Sequence, residues 1–488
     1  MRFPLLSKAA APGLVALLLS IALARISYLV DERAARQAEA VRSVQQSHAG
    51  AQTLLGPLLY RQCTEEWDVV SGTGRERTTS VERRNTAFTA TPTAVSVDSS
   101  LHNDPRYRGL FKVNGYAGHF AIDADWVAAQ PLRPNREHAG SRLQCQPVRL
   151  LLALGDVRGV RQALVKLGDA RAATTAEVRA GTQHPVYGQG FHVELPASAW
   201  ALDAKGEDAP LHARIELDLV GTAALAVVPA ADSLGWKLRS DWPHPSFGGQ
   251  YLPTARNVGE DSFDAQWQLS SLATSAPGDV VKGHPLCPLS PSPTGDESGY
   301  DPRMHPASDK GACLDTLAVS FIDPINPYVL SDRATKYGLL FIALTFIAVA
   351  LAEVMGRGRV KRVHPVQYAL VGLALTLFFL LLLSLSEHIA FGLAYGVASA
   401  ACVLLLGVYT AHMLGRRRDG VLFGGALGVV YGLLYVLLQR EQTALVIGSV
   451  GLFAAVAAVM WLTRRVDWYR MVDEARAPVA AVPATPGA

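Results

Sequence analysis

The chain has 488 residues, of which 50% are hydrophobic and 18% charged, with a formal net charge of +3. Soluble globular chains carry about 25% charged residues, and the deficit here is local: 337–463 is almost unbroken Leu, Ala, Val, Phe and Gly, whereas 31–336 has an ordinary soluble composition. This excludes a single soluble globule, a disordered or fibrous chain and a small disulfide scaffold. No basic stripe interleaved with aromatics is present, so a nucleic-acid partner has no basis.

A helix needs about 20 apolar residues to cross a bilayer. Six segments qualify, at about 12–30, 337–355, 366–385, 389–414, 421–438 and 444–463. Arg25 lies near the outer end of the first, where a long side chain can snorkel to the headgroups. Lys and Arg alternate between successive loops: Arg2 and Lys8, then Arg357, Arg359, Lys361 and Arg362, then Arg416, Arg417 and Arg418, then Arg464, Arg465 and Arg470. The opposing turns, 386–388 and 439–441, are poor in them. Positive loops stay inside, so both termini are expected in the cytoplasm and 31–336 outside. Ala22-Leu23-Ala24 also resembles a signal-peptidase site, and cleavage there would leave five spans.

Residues 31–48 read as a helical stalk ended by Gly56-Pro57. Beyond it the dominant period is two. Leu211, Ala213, Ile215, Leu217 and Leu219 alternate with polar neighbours, as do Phe191, Val193 and Leu195, Ala265, Trp267 and Leu269, and Leu317, Val319 and Phe321. Val148 to Leu154 is a continuous apolar run, as in a central strand. The outer domain is therefore expected to be β-rich and sandwich-like. Its segment 275–313, rich in Pro, Ser and Gly, reads as a long loop. The expected division is an anchor at 1–30, the outer domain at 31–336, a five-helix bundle at 337–463 and a tail at 464–488.

Cys63, Cys145, Cys287 and Cys313 fall outside the membrane, and Cys402 lies alone in the fourth span. Sequence permits three pairings of the outer four. The expectation is Cys287–Cys313 across the Pro-rich loop, with Cys63–Cys145 remaining. His284, Cys287, His305 and Cys313 are also metal-ligand types, but their spacing fits no zinc template, and no metal or cofactor is expected.

Asp323-Pro324-Ile325-Asn326-Pro327-Tyr328, Ser331-Asp332-Arg333-Ala334-Thr335-Lys336-Tyr337, His364-Pro365-Val366-Gln367-Tyr368 and Leu383-Ser384-Leu385-Ser386-Glu387-His388-Ile389 form a specific set. With Gly50-Ala51-Gln52-Thr53-Leu54, Trp242-Pro243-His244-Pro245-Ser246-Phe247 and Arg465-Val466-Asp467-Trp468-Tyr469, the chain resembles the CreD family of bacterial inner-membrane proteins. The resemblance runs from the first span to residue 469. It implies six transmembrane helices, one N-terminal and five C-terminal, with a large β-rich periplasmic domain. It also implies a non-enzymatic role in envelope integrity or the envelope stress response, under a two-component regulatory system, and carries over no catalytic residue. At Gln442 the chain departs from the acidic residue expected there.

Several residues invite a sharper reading. Ser386, Glu387 and His388 have triad chemistry, but sequence neighbours do not face one another on a helix, and an external turn explains them as well. Glu353 is ionisable inside a span, or an interfacial partner for a nearby cation. Asp332, Arg333 and Lys336 can anchor to lipid phosphates, pair with Glu387 or Glu441, or simply be solvated. Trp242 and His244 belong to a binding loop or, with two flanking prolines, a rigid corner between strands. Glu387 and Glu441 superpose two hairpins as a faint internal repeat. A transporter would require polar groups at mid-membrane and broken helices; Gly392, Gly396 and Gly407 are equally explained by close helix packing. A membrane enzyme acting on lipid-linked precursors would use Glu387, His388 and Glu441. A sensor would need a separate output partner. The bilayer and an envelope protein are the expected partners.

Overall fold

The computed structural model describes residues 4–71, 77–127, 132–168, 173–197, 210–287, 289, 313–321, 326–355, 364–414, 417–440 and 444–464. In chain order the elements are α1 (Pro4–Ser47), β1 (Gln52–Ser71), β2 (Thr78–Ala90), β3 (Ala94–Asn103), β4 (Arg106–Arg108), β5 (Phe111–Val113), β6 (Gly115–Trp126), β7 (Arg142–Cys145) and β8 (Arg149–Leu154). Next come β9 (Val160–Leu167), β10 (Thr174–Ala176), β11 (Arg179–Ala180), β12 (Gly190–Glu194), β13 (Leu211–Thr222), β14 (Ala224–Val227), β15 (Ser233–Ser240), β16 (Pro245–Gly249), β17 (Ala255–Val258) and β18 (Phe263–Ser270). The remainder is α2 (Ala276–Lys282), β19 (Leu317–Phe321), α3 (Pro327–Lys336), α4 (Gly338–Met355), α5 (Pro365–Ser386), α6 (Phe391–Leu414), α7 (Arg417–Gln439) and α8 (Ala444–Thr463).

Two compact units result: a β unit, Gln37–Pro324, and a helical unit, Met1–Arg36 with Ile325–Ala488. The boundaries differ from those expected. Residues 326–336, expected in the outer domain, fold with the helices. Asn326 caps α3 by accepting from the Tyr328 amide, Pro327 opens the helix, and Tyr328, Leu330 and Ala334 are buried. The stalk at 31–48 continues α1, as its composition suggests, and the helix ends at Ser47. Gly56-Pro57 does not end it; that cis peptide lies inside β1, where the register with β8 shifts between Leu55 and Leu58.

In the β unit, a nine-stranded sheet runs β11-β12-β8-β1-β14-β19-β16, with β2 and β7 also on β1. An eight-stranded sheet runs β10-β9-β13-β6-β3-β15-β18-β17. Alternation decides the second sheet: in β13, Leu211, Ala213, Ile215, Leu217 and Leu219 point into the core while His212, Arg214, Glu216 and Asp218 point out. Trp236 and Trp267, paired across β15 and β18, stack at 4.3 Å in that core. The first sheet is buried on both faces near β1, since Leu54 and Leu59 join the main core while Leu55, Leu58 and Tyr60 pack with Leu151, Ala153 and Val280. A continuous apolar run suits such a strand.

The segment expected as a loop at 275–313 begins with the helix α2. Pro277 occupies its first turn, and Gly283, at φ 78°, takes the left-handed cap that favours glycine. Residues 288 and 290–312 lie outside the described residues. Cys63 is bonded to Cys145 and Cys287 to Cys313, and Cys402 is free and buried. The start of the β unit is clamped where α1 ends. Arg158 donates to the Gln45 carbonyl at 3.1 Å, and Asp156 accepts from the Gly50 amide at 2.9 Å. The Gln52 amide bridges the Asp156 and Val220 carbonyls.

In the helical unit, four described helices are long and apolar enough to cross a membrane: residues 13–47, α5, 391–413 of α6 and 420–439 of α7. α3 and α4, bent by 43°, act as a fifth if they form one broken span, and Val446–Trp461 of α8 is a shorter apolar helix. The apolar run expected to begin at 337 is thus preceded by α3, from which α4 bends away. Gly338 stands at the bend, where an added Cβ would lie 2.9 Å from Leu23 and 3.1 Å from Phe379.

Of the glycines read as packing positions, Gly407 lies in the α6–α7 contact and Gly392 under Tyr435, whereas Gly396 has open space. Within the α6–α7 contact the closest approach is at Gly420, whose added Cβ would meet the Gly407 carbonyl at 2.6 Å and Ala411 at 2.4 Å. Gly420→Ala is expected to cost about 1–3 kcal/mol by forcing α6 from α7. Gly425→Ala, with nothing within 4 Å, is expected to be neutral or to stabilise by about 0.5–1 kcal/mol. Thermal unfolding of the two variants in detergent tests the contrast; equal effects would contradict it.

Candidate functional site

Of the polar residues singled out by sequence, Ser386, Glu387 and His388 lie at the end of α5. α5 has a uniformly apolar interior and ends at Ser386, leaving Glu387 at its C-cap. The Glu387 carboxylate is 9% exposed. It accepts a hydrogen bond from the Tyr328 hydroxyl at 3.3 Å and faces the Arg33 guanidinium at 3.7 Å. Three helices, α1, α3 and α5, therefore meet on one carboxylate. Asn326 and Pro327 set the start of α3 and hence the place of Tyr328. A carboxylate so little exposed is tolerated because it is paired and hydrogen-bonded.

Ser386 and His388 do not join Glu387 in a triad. The Ser386 hydroxyl donates to the Leu383 carbonyl at 2.9 Å. His388 is exposed, and its Nδ1 lies 3.1 Å from the Ser384 carbonyl, so Nδ1 carries the proton in that contact. Of the cations weighed as partners of Glu387, Lys336 lies 2.7 Å from Asp332, one turn back on its own helix. Arg333 shares that helix, and Arg33 of α1 is a cation set against Glu387. The Glu353 side chain, Glu441 and His305 lie outside the described residues.

Arg33 and Tyr328 are the members that sequence reasoning missed. Arg33 sits just beyond the apolar run of α1, among other stalk charges. Tyr328 follows the Asn-Pro helix start, the one local signal that points to it. Breaking the cluster has a measurable cost. Arg33→Met leaves the carboxylate unpaired and is expected to destabilise by about 1–3 kcal/mol, reduced from the fully buried case because Arg33 is partly exposed. Arg33→Met with Glu387→Met is expected to cost less than the sum, with a coupling of about 1 kcal/mol. Thermal unfolding of the single and double variants in detergent reads this, and strict additivity would contradict it.

In the β unit, Trp242 is buried in the turn from β15 to β16, its indole N–H donating to the His244 carbonyl at 2.9 Å, while His244 itself is exposed. Lys112 lies over the Trp242 ring at 5.7 Å. This geometry is a strand corner. A second group lies on the outer side of β1: His184, Tyr60 and Tyr187, with ring centroids 4.8 and 4.6 Å from the imidazole. His184 Nδ1 accepts from the Val186 and Tyr187 amides at 3.2 and 3.3 Å. Burial holds its pKa down to about 4 and lifts Tyr187 to about 12. Nearby, Glu65 accepts from Ser141, His138 and Glu137, and these bonds hold its carboxyl below the usual range. Among the described residues no three His, Cys, Asp or Glu side chains are grouped to hold a metal ion.

With the geometry in place, comparison with known proteins decides the family. The model of the family described as Inner membrane protein CreD matches residues 4–469. The chain belongs to the CreD family. It is 32% identical over 454 residues to the inner membrane protein CreD of Escherichia coli strain K12, covering 93% of this chain and 91% of that protein. Among solved structures, an M1 zinc metallopeptidase from Deinococcus radiodurans is matched over 36% of this chain and 38% of its own. The identity is 11% and the TM-score 0.19, too low to bear on the CreD fold. For a CreD-family chain, an inner-membrane bundle accounts for the exposed Leu, Val and Phe side chains of α4 to α8.

Proposed function

We propose that this is a non-enzymatic inner-membrane protein that contributes to the integrity of the cell envelope. In this reading six helices span the membrane, both termini are cytoplasmic, and the β unit is periplasmic. The alternation of Lys and Arg among the loops supports the orientation, and α8 and the bent α3–α4 pair supply the spans beyond the four long helices.

The observation that carries the reading is the use made of Glu387. A group with acid–base potential is engaged by Arg33 and Tyr328. Its neighbours Ser386 and His388 bond to backbone carbonyls of their own helix. The cluster ties α1 to α3, the helices on either side of the β unit in the chain, and to α5. Such a tie holds together the two chain segments that flank the β unit and engages the polar groups of these residues.

The test is a strain in which the chain is deleted, then restored as the wild type or as Arg33→Met, challenged with a dye that an intact envelope excludes. Deletion is expected to raise dye uptake, wild type to reverse it, and Arg33→Met to reverse it incompletely. Unchanged uptake on deletion, under both rest and envelope stress, would overturn the proposal.

A further inference from the structure

A groove of about 200 Å³ opens on the side of the helical unit. Leu23, Ala24 and Ser27 of α1 form one wall, and Thr335, Lys336 and Leu339, around the α3–α4 bend, form the other. On both helices the neighbouring apolar side chains, Leu17 and Ile21 on one and Leu340 on the other, are exposed, as lipid-facing residues are.

The polar groups in the groove are not equivalent. The Ser20 hydroxyl is spent on the Leu17 carbonyl at 2.7 Å and the Thr335 hydroxyl on the Asp332 carbonyl at 2.9 Å. Lys336 is engaged by Asp332 at 2.7 Å, and its ammonium has three donors. Along the chain the order is Leu339, Lys336, Asp332: apolar wall, cation, anion. Asp332, beside the groove rather than in its lining, stands one turn, about 5.4 Å, from Lys336 in the direction of Tyr328.

A zwitterionic phospholipid has the same order. Its acyl chain is followed by a phosphodiester anion, and a two-carbon arm then carries the cation. We propose that this groove binds one phospholipid bearing a primary ammonium, of the phosphatidylethanolamine class. The acyl chain lies between Leu23 and Leu339, the phosphate accepts from Lys336, and the ammonium donates to Asp332. An anionic headgroup would satisfy Lys336 but bring a second negative charge to Asp332. A choline headgroup has no N–H to donate to Asp332. The proposal uses the order of residues along α3 and α4 and is independent of the role proposed for the whole protein.

The test uses the purified full-length chain in nanodiscs of dioleoylphosphatidylethanolamine, dioleoylphosphatidylglycerol or dioleoylphosphatidylcholine. Stepwise detergent extraction follows, and retained lipid is counted by native mass spectrometry. Wild type is expected to retain one phosphatidylethanolamine about tenfold better than either other lipid, as one charge-assisted hydrogen bond supplies. Ala24→Trp fills the groove and should abolish retention. Asp332→Asn, at a partly exposed position that leaves the wall intact, should erase the preference for ethanolamine over choline while retaining lipid. Equal retention of the three lipids, preference for the glycerol headgroup, or undiminished retention in Ala24→Trp would overturn the proposal. So would a dimer of this chain that Ala24→Trp dissociates, since a second copy would then occupy the groove.

Discussion

Replacing Cys63 and Cys145 together by alanine is expected to destabilise the β unit by about 4.5 kcal/mol, the entropy of closing an 82-residue loop. The two residues oppose each other directly where β7 pairs with β1. The bond therefore holds a strand of only Arg142–Cys145 and, through Glu65, the amides of Glu137 and His138. The Cys287–Cys313 bond closes a separation of 26 residues, and replacing both cysteines is expected to cost about 3.5 kcal/mol. Trp126, Trp236, Trp242 and Trp267 are buried in the β unit, so denaturant unfolding of the full chain followed by tryptophan emission reads the change. The first double variant should unfold at lower denaturant than the second. The reverse order would show that β7 is held by its other contacts.

Acid is expected to begin weakening the same unit near pH 6.5, before the carboxylates titrate. His184 is 7% exposed and its pKa is held down to about 4 by burial, against an ordinary value of 6.5. The unfolded chain thus binds the proton at higher pH than the folded one. Stability is complete above pH 6.5, falls as pH drops through the window from 6.5 to about 4, and levels below it. The full loss is roughly 3 kcal/mol. His184→Asn keeps an acceptor near the Val186 and Tyr187 amides but cannot be protonated, so its unfolding midpoint should be nearly flat over that window. A wild-type slope that persists in His184→Asn would assign the effect elsewhere. Glu65 adds a separate loss at lower pH: its folded pKa is depressed by Ser141 and the two amides, so its contribution goes as pH falls below the ordinary carboxylate value.

How much of this was legible in sequence depended on whether the signal was local. β13 and β18 alternate between buried and more exposed residues, and alternation marked them at Leu211 and Ala265; β12 and β19 alternate in sequence at Phe191 and Leu317 but are buried on both faces. β1 is buried on both faces along Gln52–Leu59, so it has no alternation, and Gly56-Pro57 reads as a terminator when taken alone. α2 was hidden because its proline sits in the first turn, where a helix accepts it, inside a segment otherwise rich in turn residues. α3 is short and polar on one side, and the apolar run that defines a span begins only after it.

The candidate site divides the same way. Glu387 stood out as an isolated carboxylate after an apolar helix. Its partners could not be read, because Arg33 and Tyr328 are far from it in sequence and nothing in their own neighbourhoods points to α5. The charges before the second span, Asp332, Arg333 and Lys336, were the nearer candidates, and the long side chain of Lys336 is taken by the aspartate one turn away.

The most direct measurement of the account is labelling of single introduced cysteines by a membrane-impermeant maleimide in intact cells whose outer barrier has been permeabilised. Leu272→Cys places the thiol at a residue 97% exposed in the β unit. Arg417→Cys places it at the start of α7, in a turn assigned to the cytoplasm. The four outer native cysteines are bonded and Cys402 is buried, so the background is low. The account expects Leu272→Cys to label before the inner membrane is broken and Arg417→Cys only after. Labelling of Arg417→Cys in intact cells, with Leu272→Cys protected, would reverse the orientation and remove the basis for an envelope role.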